Sequence, residues 1–180
     1  MYDSQTEARI RLTAEEQSAI AEIEATTSIL SLITRMTQMR FAAIAKFHEA
    51  DWMVCSVHDT GNLGIEPGDS LPIEITLCSE FLTNPQALLL PDIRQSPRHY
   101  LRAVVKRFGL ESYAGVPIFL PDGTLYGALC ALDTRTVDFN NPELAETLSL
   151  FARLVGCIFY GSGQSAPQSP QASILSNAGA

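Results

Sequence analysis

The stretch from Ser112 to Asp133 constrains the fold more than any other part of the chain. It holds two apolar runs, Tyr113 to Leu120 and Leu125 to Leu132, on either side of Pro121-Asp122-Gly123. Proline pre-sets φ for the first turn position and glycine accepts a positive φ at its end, so the pattern predicts an antiparallel hairpin with a short loop. A strand with one wet face alternates apolar and polar residues. These runs are apolar at nearly every position, which predicts a hairpin in mid-sheet with both faces covered. Gly115 and Gly127 leave room where another group packs close to the backbone.

A chain of 180 residues suits one domain with tails. Its net charge of −8 argues against general nucleic-acid binding, which needs a basic surface. No uninterrupted run of about 18 apolar residues occurs, so no membrane span is expected. The polar, acidic start, Met1 to Glu7, lacks the pattern of a signal peptide. Cys55, Cys78, Cys130 and Cys157 are widely spaced in apolar contexts, with no CxxC pair or Cys/His cluster to suggest zinc. Reduced, buried thiols in a cytoplasmic protein are the expectation.

Residues 1–13 read as a flexible lead-in. Thr13-Ala14-Glu15-Glu16 is a capping box, opening a helix over 14–39. Ile20, Ile23, Thr27, Leu30, Thr34 and Thr37 form one stripe of that helix, and Ile29, Leu32, Ile33 and Met36 a second. One stripe can cover the sheet and leave the other for a partner, or both can form one broad face over one core. Two strands follow, around Phe41 to Phe47 and Trp52 to Val57. The Gly-rich loop 59–69 is acidic, but without EF-hand spacing it reads as solvated rather than calcium-binding. A short helix over 77–84 with Thr76 as cap, a strand over 87–90, and a helix from Pro97 to Phe108 come next, with Ser96 as cap and Gly109 as stop. Leu101, Val104, Val105 and Phe108 should face inward, while Arg94, Arg98, Arg102 and Lys106 form a basic face. The last helix should run from Asn141-Pro142-Glu143 to Tyr160, with Leu144, Leu148, Phe151, Leu154, Val155 and Ile158 as its apolar stripe. Residues 161–180 carry no charge and little to bury, and read as a disordered tail.

Tyr113-Ala114-Gly115-Val116-Pro117-Ile118, then Pro121-Asp122-Gly123, then Leu125 to Asp133 resembles the C-terminal half of a GAF domain, where "YAGVP", "DG" and "GTLCVLD"-like segments recur in this order. Thr76-Leu77-Cys78 and Leu90-Pro91-Asp92-Ile93 fall where that family carries "TFC"-like and "DI"-like signatures. The resemblance covers residues 14–160. It implies an α+β, GAF/PAS-like fold: a central antiparallel sheet, the N- and C-terminal helices on one side, and ligand-pocket helices on the other. It also implies a cytoplasmic, non-enzymatic sensor of signal transduction, of the kind found in two-component systems. Such a module binds a small molecule or senses redox state, pairs with a second copy through its terminal helices, and passes the signal to a partner protein.

By the same resemblance, Tyr113, Gly115, Ala128 and Cys130 would face a ligand pocket, completed by segments around Cys78 and from Asp92 to Phe108. An apolar wall with small residues fits a closed core equally well. Asp92 could accept a hydrogen bond from a ligand, or cap a turn and pair with Arg94. His99 could be a ligand contact, or a structural histidine. The basic face could gather an anion or an acidic partner, or remain solvated. The Cys-His pair that holds a bilin in some members is replaced by Tyr100-Leu101, so no covalent bilin is expected. The Asn-Lys start of the cyclic-nucleotide signature is replaced by Asp133-Thr134. The cysteine that free methionine sulfoxide reductases carry before this strand is missing from Gly109-Leu110-Glu111-Ser112. The alternatives to the sensor are therefore a thiol-dependent reductase using other cysteines, or a dimerisation module with no ligand. The ligand itself is not identified.

Overall fold

The hairpin forms as expected and sits inside a six-stranded sheet. In the computed structural model the described residues are 12–164, so most of both expected tails lies outside them. The elements are α1 (Ala14–Thr37), β1 (Phe41–His48), β2 (Asp51–Asp59), β3 (Ser70–Pro72), β4 (Leu88–Leu90), α2 (Pro97–Tyr100), α3 (Ala103–Phe108), β5 (Ser112–Phe119), β6 (Leu125–Asp133) and α4 (Leu144–Gln164). Single 3-10 turns lie at Ile73–Ile75, Leu77–Leu82 and Ile93–Gln95. The strand order is β3-β2-β1-β6-β5-β4, with every neighbouring pair antiparallel. This is the α+β architecture anticipated from the sequence.

Strand alternation divides the hairpin between two cores. Ala114, Val116 and Ile118 of β5, with Leu129 and Ala131 of β6, face Leu30 and Ile33 of α1 and Leu144, Leu148, Ala152 and Val155 of α4. Tyr113, Cys130 and Leu132 point the other way, under Leu77, Cys78 and Phe81 and the α3 residues Val104 and Val105. Gly127 has a backbone reason: a Cβ there would run into the Ala45 carbonyl of the adjacent β1.

Four local expectations change. First, α1 ends at Thr37 rather than 39, because Gln38 turns left-handed (φ 60°). Its buried face is Thr26, Leu30, Ile33, Thr34 and Thr37, drawn from both stripes, while Ile20 and Ile23 are 43% and 64% exposed. Second, the helix expected from Pro97 to Phe108 is two pieces. Arg102 is extended (ψ 138°) between α2 and α3, and Leu101, expected inside, is 67% exposed. Val104 and Val105 keep the inward face.

Third, α4 starts after the Asn141 side chain accepts from the Glu143 amide (2.9 Å), and runs past Tyr160 to Gln164. Leu154, expected in its buried stripe, is 47% exposed. Fourth, α4 is long and apolar enough over Leu144–Gly163 to cross a bilayer by length and composition alone, although no unbroken apolar run marks it. Leu144, Leu148, Ala152 and Val155 bury one side against the sheet, and Leu150 and Leu154 carry the surplus on the other.

Candidate functional site

Tyr113 leaves β5 on the face opposite the terminal helices. Gly115, two residues on, has no side chain, and the phenol lies over it: a Cβ at Gly115 would meet the Tyr113 ring and hydroxyl. Gly115 is also the register partner of Cys130 on β6. The phenol is thereby carried to the Cys130 side of the hairpin. From above, the 3-10 turn Leu77–Leu82 lowers Cys78, whose Sγ lies 3.2 Å from the Tyr113 hydroxyl oxygen. Trp52 of β2 closes the side of the same space.

These residues wall a narrow cavity of about 20 Å³, room for roughly one water molecule. Its wall is almost wholly apolar. One polar atom stands out. Trp52 is 3% exposed, and its indole nitrogen is buried close to the Cys78 sulfur, near enough to favour a thiolate there but without a hydrogen bond of ordinary geometry to any described residue. A buried donor left without an acceptor costs about 1–3 kcal/mol, so an acceptor atom brought beside Trp52 would be stabilised.

The electrostatics separate the two thiols. The contact with Cys130 draws the Cys78 thiol pKa down, against the upward push of burial, and Tyr113 and Trp52 add to the lowering. Cys130 goes the other way: its contact with Cys78 and its burial both push its thiol up. Tyr113 is pushed up well above the ordinary phenol range by burial and by the neighbouring sulfurs, so it stays a phenol and a donor.

Of the residues read from the sequence, Cys78, Tyr113 and Cys130 line this cavity, Gly115 makes room for the phenol, and Ala128 lies on the same core face. Asp92 and His99 stand apart from the cavity lining. Asp92 accepts from the Arg94 amide (3.0 Å) and pairs with the Arg94 guanidinium (2.8 Å), which holds its carboxyl below the usual range. His99 is buried, with Nδ1 2.6 Å from the Ser96 hydroxyl and Nε2 3.5 Å from a Glu80 carboxylate oxygen.

Much of the expected basic face is engaged within the molecule. Arg94 holds Asp92, Arg98 pairs with Glu80 at 2.7 Å, and Arg102 donates to the Glu74 carbonyl. Glu80 belongs to the same turn as Cys78, so α2 is latched to the segment that roofs the cavity. Two of the loop carboxylates are occupied too: Asp59 accepts from the Gly61 and Leu63 amides, and Asp69 from the Glu66 amide. Trp52 and Glu80 were not singled out by sequence reasoning. The one available signal for Trp52 is that it is the only tryptophan in the chain.

On the opposite face of the sheet, a wider groove of about 520 Å³ runs between α1, β2 and the end of α4. Glu22, Ile23, Cys55, Tyr126 and Phe159 line it, with Tyr126 and Phe159 stacked at 5.2 Å. It is open to solvent and holds no orphaned buried donor among the described residues, so the smaller cavity is the better candidate.

Comparison with known proteins agrees with this geometry. The GAF domain family model matches residues 22–158. The cyanobacteriochrome receptor PixJ superposes with a TM-score of 0.61 at 10% identity, over 77% of this chain and 95% of that one. The GAF domain of a two-component sensor histidine kinase from Bacillus halodurans gives 0.59 at 13% identity, over 78% and 95%. Free methionine-R-sulfoxide reductase from Neisseria meningitidis, solved with its substrate, gives 0.60 at 15% identity, over 83% and 86%. At these identities the likeness is one of fold. No curated protein matches the chain.

Proposed function

Since the chain belongs to the GAF domain family, we propose that it is a non-enzymatic sensory module that takes a small molecule into the cavity between Trp52, Cys78, Tyr113 and Cys130. The observation that carries this reading is the unpartnered indole N–H of Trp52 in an otherwise apolar wall. A ligand supplying one hydrogen-bond acceptor and a small apolar body would satisfy it. Anything larger than water must lift the Leu77–Leu82 turn, and with it the Glu80 latch to Arg98.

The signal then passes through the sheet. Tyr113 and Cys130 alternate with Ala114, Leu129 and Ala131, which pack on α1 and α4. The exposed Ile20, Ile23, Leu150 and Leu154 on those helices support pairing with a second copy, and output to a signalling partner in the cytoplasm. A thiol-dependent reductase of the sulfoxide type is the second reading, favoured by two cysteines in one cavity.

Native mass spectrometry of the protein purified from its own host separates these. The sensor gives a reproducible non-covalent adduct, lost on denaturation, and no turnover of free methionine sulfoxide with a dithiol reductant. Turnover would establish the reductase. A dimer with neither adduct nor turnover would leave a pure interaction module.

A further inference from the structure

Two cysteines from distant parts of the chain face one buried cavity, and both neighbour one phenol. Cys78 Sγ is 3.2 Å from the Tyr113 hydroxyl. Cys130 is the register partner of Gly115, over which that phenol lies. The free space is about 20 Å³ and its walls are apolar. A charged or bulky oxidant, such as a glutathione disulfide, cannot enter such a space. A neutral molecule little larger than water needs only a small lift of the Leu77–Leu82 turn. The residues around the cavity include Tyr113, whose hydroxyl contacts Cys78, and Trp52, whose buried indole nitrogen makes no hydrogen bond of ordinary geometry.

We propose that hydrogen peroxide entering this cavity oxidises Cys78 and Cys130 to an intramolecular disulfide, which makes the pair a redox switch. The inference rests on the reading of the cavity as the sensing site and names one chemical input for it. The Cys78 sulfur, having released its proton, attacks one peroxide oxygen. An S–O bond forms, the O–O bond breaks, and the second oxygen leaves as hydroxide and takes up the released proton to become water. Sulfur loses two electrons to the peroxide, and Cys78 becomes a sulfenic acid. The Cys130 sulfur then attacks the Cys78 sulfur. The S–S bond forms, the S–O bond breaks, and hydroxide leaves with the Cys130 proton as a second water. Overall, two thiols and one peroxide give one disulfide and two waters.

The order of attack follows from the hydrogen bonds. Cys78 lies against the Tyr113 hydroxyl, which can donate to a thiolate, and its lowered pKa agrees. Bridging draws Cys78 away from the Tyr113 hydroxyl and leaves a buried donor to be re-paired. Tyr113 neighbours Ala114 on β5, whose side chain packs among the terminal-helix residues, so the change reaches α1 and α4.

The test uses the full wild-type chain, treated with hydrogen peroxide, then denatured, alkylated and peptide-mapped by mass spectrometry. The expected product is a peptide linking Cys78 to Cys130, formed before the exposed Cys157 is consumed and reversed by dithiothreitol. The Cys130→Ser chain should instead stop with one added oxygen on Cys78. Cys78 and Cys130 staying fully alkylatable while Cys157 oxidises overturns the proposal. So does a disulfide joining Cys78 to Cys55 or Cys157. If no disulfide forms but native mass spectrometry still finds a non-covalent adduct, this inference fails and the sensory reading stands.

Discussion

Cys78 and Tyr113, thirty-five residues apart in sequence, meet with sulfur and phenol oxygen at 3.2 Å, each almost fully buried. This contact joins the roof of the cavity to its floor. Tyr113→Phe removes the hydroxyl and keeps the ring. The expected cost is about 1 kcal/mol, the usual net value of one hydrogen bond. The variant should also need a higher pH for hydrogen peroxide to oxidise Cys78 in the folded state, because one group that lowers its pKa is gone. An unchanged pH profile would mean that the phenol does not stabilise the thiolate.

Gly115→Ala tests the way the phenol is seated. The new methyl would collide with the Tyr113 ring and hydroxyl, so the ring must leave its place over the strand. Overpacking of this kind costs about 1–3 kcal/mol. The denaturant midpoint should fall, and the fluorescence of Trp52 should shift with the rearranged wall. A fully tolerated alanine would contradict the packing described here.

The hairpin that seats Tyr113 was legible in the sequence because two signals coincide, unbroken apolar runs and a Pro-Asp-Gly turn. The helix over 97–108 was legible only in part. Leu101, Val104, Val105 and Phe108 keep helical spacing, but Arg102 takes an extended conformation and donates to the Glu74 carbonyl. That partner lies 28 residues away, so no local pattern announces it. Cys78, Tyr113 and Cys130 could be placed by strand alternation and family resemblance. The orphaned Trp52 donor could not, since whether a buried N–H finds an acceptor depends on tertiary structure.

His99 makes the roof latch sensitive to pH. Burial lowers its pKa, Arg98 lowers it further, and Glu80 opposes them. A histidine whose folded pKa lies below the unfolded value of about 6.5 favours the neutral ring. Its contribution to stability is complete above that value and is lost as pH falls through the lower, folded one. The denaturant midpoint should therefore drop as pH falls from about 7 to 5, and His99→Gln should flatten that step. A midpoint that rises over the same range would show that the Glu80 ion pair outweighs burial.

Asp133 ties the end of β6 to the exit of α1. Its carboxylate accepts from the Arg40 amide (2.9 Å) and the Arg40 guanidinium (2.7 Å), and from the Arg135 amide (3.0 Å). Burial pushes its pKa up, but the Arg40 and Arg135 contacts together outweigh this and bring it down to about 2. An unfolded aspartate titrates near about 3.9. The stabilisation is therefore full above that pH and fades as pH falls toward the folded value. Asp133→Asn should cost about 1.5–3 kcal/mol at neutral pH, the range for losing hydrogen bonds to a buried charged group, because the arginines on the other side of the pair stay partly solvated. It should also weaken the acid-induced loss of stability below about pH 4. Chemical denaturation at neutral and acid pH checks both.

The most direct test of the central claim is the nitrogen–proton NMR resonance of the Trp52 indole, recorded on protein as purified from its own host and again after stripping by denaturation and refolding. Trp52 is the sole tryptophan, so one indole signal reports on one wall of the cavity. If the cavity holds the sensed ligand, the signal moves downfield in the loaded protein as the N–H gains an acceptor, and returns on stripping. An indole signal that stays in place while native mass spectrometry shows a bound adduct would put the ligand elsewhere and contradict the assignment of this cavity.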